Sequence, residues 1–79
     1  MAMRTPAAGT WEAESFISEL SRVLVANDIT QGALARAMGC TRQEVSRWLR
    51  GVRRPSLGTM MRMERALQNC LLLMAEEEE

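Results

Sequence analysis

The 79-residue chain contains no histidine, no tyrosine and no lysine, and only two cysteines, one phenylalanine and two prolines. Each absence removes a class of chemistry. Without histidine there is no Ser-His-Asp or Cys-His catalysis, and no histidine-ligated zinc. Without lysine there is no Schiff base. Two cysteines supply neither four thiolates for a structural metal nor a disulfide framework, so a reducing cytoplasm is the expected setting and no metal or cofactor is expected. The longest apolar run, Cys70 to Ala75, is far too short to span a bilayer. The first residues lack the apolar stretch of a signal peptide. What remains is a single small domain whose composition suits binding rather than catalysis.

The formal net charge is zero, but the charges are segregated. Residues 29–63 carry seven arginines (Arg36, Arg42, Arg47, Arg50, Arg53, Arg54 and Arg62) against Glu44 alone, a net of +6. Residues 1–28 sum to −2 and residues 64–79 to −4. A basic middle between acidic ends fits a polyanion-binding surface on a solvated body. Arginines decorating a solvated helix face would give the same count.

The periodicity is helical throughout, with no β-alternation. Residues 1–9 are non-periodic and predict a disordered arm. Thr10 is placed to cap a first helix from Trp11 to Ala26, with an apolar stripe of Ala13, Phe16, Ile17, Leu20, Val23 and Leu24. Asn27-Asp28 reads as a turn, with Asn27 the residue tolerant of a left-handed backbone. Thr30 caps a short helix, Gln31 to Met38, stopped by Gly39. Thr41 to Glu44 forms a capping box, in which Thr41 bonds the amide of Glu44 and Glu44 reaches back to the amide of Thr41. The helix after it runs from Arg42 to Arg50 and stops at Gly51. Val52 to Pro55 reads as an exposed loop, and Ser56 caps a helix from Leu57. Met60, Met63, Leu67, Cys70 or Leu71, and Met74 keep helical spacing to the end. That spacing fits one long helix or two broken near Asn69. The expected fold is all-α, a four- or five-helix domain over residues 10–75 with an acidic, fraying tail at 76–79.

Gln31 to Arg50 has the pattern of a helix-turn-helix. Two short helices crossing steeply need a small residue where they touch, a turn residue that accepts positive φ, and an apolar residue on the inner face of the second helix. Ala35, Gly39 and Val45 meet these needs. Leu34, Met38, Cys40 and Trp48 are the remaining candidates for burial, and Cys40 and Cys70 read as small core residues. Thr30-Gln31, Leu34-Ala35, Gly39, Val45-Ser46, Trp48, Gly51 and Arg54-Pro55-Ser56 carry a further implication. With its flanking helices, roughly residues 14–68, the chain resembles the lambda repressor/Cro-type (XRE) DNA-binding proteins. Two residues depart from that pattern. Asp28 stands where a glycine often precedes the Thr-Gln step, and Leu49 stands at a position that is often acidic.

The resemblance implies that the second helix of the motif enters the major groove of double-stranded DNA. It gives the base-facing positions to Thr41, Arg42, Gln43, Ser46 and Arg47. Arginine can bond guanine O6 and N7, glutamine can bond adenine N6 and N7, and threonine offers a methyl group to thymine. By the same resemblance Gln31 contacts a phosphate. Arg50, Arg53, Arg54 and Ser56 lie where phosphate contacts would position the protein without reading sequence. Four apolar residues in a row cannot all face one small core, so Cys70, Leu71, Leu72, Leu73 and Met74 are the expected homodimer interface. Together these features imply a dimeric repressor of phage or mobile-element type on an inverted-repeat operator. The alternatives are an antitoxin that represses its own operon and binds a toxin, and a protein-interaction module that keeps the fold without the DNA.

Overall fold

The computed structural model describes residues 12–77. The predicted arm at 1–9, Thr10 and Trp11 lie outside the described residues. The first helix starts later than the expected Trp11, because Glu12 is extended and stands as its N-cap in place of Thr10, with no side-chain capping bond. Four helices follow in order: α1 Ala13–Ala26, α2 Gln31–Met38, α3 Arg42–Leu49 and α4 Leu57–Glu77. No strand occurs among the described residues. The expectation of an all-α domain holds, with four helices rather than five among the described residues. α4 runs unbroken through Asn69 for 21 residues, roughly 31 Å at the usual rise per residue. Its helix takes in Glu76 and Glu77, where the sequence suggested a tail already fraying.

Three helix starts are made as their capping residues imply. Thr30 Oγ1 accepts the amide of Ala33 at 3.0 Å, and Thr41 Oγ1 accepts the amide of Glu44 at 3.1 Å. Ser56 Oγ accepts the amide of Thr59 at 3.1 Å. Each bond satisfies a donor that the helix geometry leaves open.

The three helix ends share one device. After α1, the Ile29 amide donates to Leu24 O and the Asp28 amide to Val25 O. After α2, Cys40 donates to Ala35 O and Gly39 to Arg36 O. After α3, Val52 donates to Arg47 O and Gly51 to Trp48 O. This pair of bonds is the Schellman closure, which needs one residue in the left-handed region. Those residues are Asp28, Gly39 and Gly51, at φ 59°, 79° and 78°. The left-handed residue at the first turn is thus Asp28 and not Asn27, whose φ is −109°. Asn27 instead uses its side-chain amide to donate to Val23 O at 2.9 Å. The turn therefore keeps its geometry although Asp28 has replaced the glycine common there.

α2 lies at the centre, packed on α3 and on α4, and α1 closes against α3 and α4. Leu34 of α2, Val45 of α3 and Met63 of α4 meet with no exposed surface at all. Leu20, Leu24, Ile29, Ala35, Trp48 and Ala66 complete the core around them. Met38 and Cys40 are only half-buried, against the expectation of burial, although both pack on the core. Pro55, expected in an exposed loop, is buried. Leu49 is half-buried and packs on the core, which accounts for an apolar residue at that position.

These turns give a paired prediction. A Cβ built on Gly39 meets nothing within 4 Å, so the cost of a side chain there is backbone strain alone. Gly39→Val should lower stability by about 1–2 kcal/mol or more, since L residues are disfavoured in the left-handed region and β-branched ones most. Asp28→Gly relieves the same strain and should raise stability by up to about 1 kcal/mol. Thermal melts of the two variants beside the parent chain check both signs.

Candidate nucleic-acid interface

α3 is amphipathic with a sharp boundary. Val45 and Trp48 are its buried residues. Thr41, Arg42, Gln43, Arg47 and Arg50 are exposed, and Ser46 is half-buried. At 3.6 residues per turn, Arg42, Ser46 and Arg50 form one line along the helix, with Gln43 and Arg47 beside it. Ser46 and Arg50 are joined, since Arg50 Nε donates to Ser46 Oγ at 3.1 Å. The serine hydroxyl keeps its own proton free for another acceptor. Thr41 uses its oxygen as the α3 cap and retains its methyl group and hydroxyl proton.

Gln31 is exposed at the first position of α2. The first turns of α2 and α3 meet, for Arg42 Cδ lies 3.7 Å from where a Cβ on Gly32 would stand. Arg53 and Arg54 are exposed in the loop after α3. The backbone of that loop is anchored, because the amides of Val52 and Arg53 both donate to Arg47 O, at 2.9 and 3.2 Å. Ser56 is exposed but occupied, with Oγ accepting from the Thr59 amide and donating to Thr59 Oγ1. Among the described residues the one ion pair is Arg22–Glu19 on α1, and Arg22 lines the same groove as Arg50, Arg53 and Arg54. The arginines of α3 and its loop are not neutralised by any of those acidic groups.

Sequence reasoning missed two residues that hold this face in place. Arg62 of α4 donates to Met38 O, the last carbonyl of α2, at 3.2 Å. It ties α4 to the end of α2 just before the turn, where a cation also suits the negative end of the helix dipole. Nothing in the local sequence distinguished it from a solvated arginine. Glu44 makes only half of the predicted capping box. Its charge lies near enough to the Cys40 thiol to raise that thiol's pKa, and it does not return to the amide of Thr41. Burial pushes the Cys40 thiol above its ordinary range, Glu44 adds to this by its charge, Arg62 opposes it, and the bond to Glu44 reinforces it.

The expected dimer residues separate into two groups. Cys70, Leu71 and Met74 are half-buried and pack on the chain's own core. The Cys70 thiol reaches to 4.0 Å from Ala33 O. Leu72 and Leu73 face outward, 63% and 59% exposed. A single helix thus resolves the four-residue run by turning half of it inward.

A helix-turn-helix family model matches residues 20–70, well over half of the chain. The chain belongs to the helix-turn-helix family of the lambda repressor (XRE) type, a family of DNA-binding regulators rather than of enzymes. No characterised protein and no solved structure matches it individually. Among the described residues no helix is long and apolar enough to cross a membrane.

The thiol gives a prediction with a definite sign. A raised pKa means that Cys40 stays protonated to higher pH than a free cysteine. In a Cys70→Ala background, the pH profile of Cys40 alkylation should lie above that of an unstructured cysteine peptide. Glu44→Gln removes the neighbouring negative charge and should move the profile back down. By linkage, the stabilisation from the protonated thiol is complete below the unfolded pKa and fades as pH rises through the folded one.

Proposed function

We propose that the chain is a sequence-specific double-stranded DNA-binding regulator. It acts in the cytoplasm as a homodimeric repressor of phage or mobile-element type, by occupying an inverted-repeat operator. The observation that carries this reading is the outward face of α3. Arg42, Gln43 and Arg47 stand exposed on the second helix of the motif, next to a basic loop whose backbone is bonded to that same helix. Arg42, Gln43 and Arg47 read base edges, with Thr41 and Ser46 as smaller contributors. Gln31, Arg50, Arg53, Arg54 and the first turn of α4 at Ser56 meet phosphates.

One eight-residue recognition helix covers few base pairs. Two copies related by a two-fold axis double the contacts and place the helices about 34 Å apart on one face of the duplex. Leu72 and Leu73 are the adhesive surface that supports this assembly, since they are adjacent, apolar and turned away from the core. Leu71 lies against the core, so it is unsuited to testing association.

The experiment is selection of a binding site from a randomised duplex pool, followed by variants. Arg47→Ala and Gln43→Ala should each cost about 1–3 kcal/mol on the selected site and relax the preference at one base pair. Arg53→Ala should weaken all sequences alike and flatten the dependence on salt. Equal losses on selected and random DNA for Arg47→Ala would make Arg47 a phosphate contact. Leu72→Glu and Leu73→Glu should give folded monomers in sedimentation, with weak non-specific binding retained and operator affinity lost. A parent chain that sediments as a monomer would refute the homodimer.

A further inference from the structure

Gly32 is the second residue of α2, in ordinary helical conformation. It has no positive φ to justify glycine, and glycine weakens a helix relative to alanine. A Cβ built there meets Arg42 Cδ at 3.7 Å and Thr30 Oγ1 at 3.9 Å, both ordinary contact distances. A methyl group therefore fits, and neither the helix nor its packing requires the glycine. What lies over the bare backbone is the stem of Arg42, the first residue of α3. Its guanidinium begins at the next atom beyond Cδ. Arg42 is exposed, and a long exposed arginine ordinarily samples many rotamers. The bare backbone at Gly32 leaves the stem room on this side, which a side chain longer than a methyl group would take up.

We propose that Gly32 is a positioning residue for sequence readout. By leaving its surface bare it provides a seat for the Arg42 stem, and so sets which base edge the guanidinium reaches. Gly32 touches no base itself. The inference rests on the proposed base contact of Arg42 and adds that specificity at that base pair is decided partly from α2. A side chain longer than a methyl group at position 32 competes with the Arg42 stem for the same surface and turns the guanidinium elsewhere.

The test compares Gly32→Ala, Gly32→Leu, Arg42→Ala and the double variant Gly32→Leu/Arg42→Ala. Each is probed against the selected duplex and its single base-pair variants, with melting curves to establish folding. Gly32→Ala should keep the parent's preference at every position. Gly32→Leu should lose about tenfold in discrimination at the one base pair that Arg42→Ala relaxes, and the double variant should lose no more than Arg42→Ala alone. A merely structural role would instead lower binding to all duplexes alike. Should the leucine variant fail to fold, Gly32→Gln, with an unbranched side chain suited to helix, carries the same comparison. The inference is overturned if the longer side chain leaves discrimination intact, or lowers it equally with and without Arg42. If Arg42→Ala itself weakens every duplex equally, the base contact of Arg42 is what has failed, and the positioning role falls with it.

Discussion

α3 has eight residues, and a helix of that length does not persist alone in water. It exists because Val45 and Trp48 are buried. Val45 is as fully buried as Leu34 and Met63, and α2 is the helix that packs on both α3 and α4. Leu49 adds half-buried packing at the end of the helix, while Arg42, Gln43 and Arg47 stay exposed. This division of labour lets the outer face hold charged and polar residues without weakening the fold, because Val45, Trp48 and Leu49 secure the helix from the inner side.

The same economy governs the turns. Three helices end in one hydrogen-bonded closure, each requiring a single left-handed residue and no side-chain partner. At the first of them the residue following the closure, Ile29, is itself buried beside Leu24 in the core. That is the apolar contact which commonly accompanies the motif. Two of the three left-handed positions are glycine, and the third is the more strained aspartate.

Much of this was legible from the chain because it depends on residues close in sequence. Thr30, Thr41 and Ser56 announce helix starts through bonds to amides three residues on, and Gly39 and Gly51 announce ends. The apolar stripe from Met60 to Met74 marked the face of α4 that turns inward. What escaped were choices between local options that distant packing decides. Asn27 and Asp28 both tolerate the left-handed region, and burial of Ile29 together with the side-chain bond of Asn27 selects Asp28. Glu44 does not close back on the Thr41 amide and instead raises the pKa of the nearby Cys40 thiol. The continuity of α4 past Asn69 and the burial of Pro55 depend on tertiary contacts. So does the role of Arg62, which bonds a carbonyl 24 residues away. At the candidate site the exposed positions on α3 followed from helical periodicity. The meeting of Arg42 with Gly32 did not, since it depends on how two helices cross.

The amides of Val52 and Arg53 both end on the carbonyl of Arg47, so the loop is not an independent arm. The start of the loop, up to Arg53, is tied by its backbone to the end of α3. A flexible loop must surrender backbone freedom when it meets a charged surface, and association is weakened by that amount. Here the freedom was given up during folding. On the proposed function, a polyanion meeting this loop finds Arg53 carried on backbone that is already hydrogen-bonded to α3.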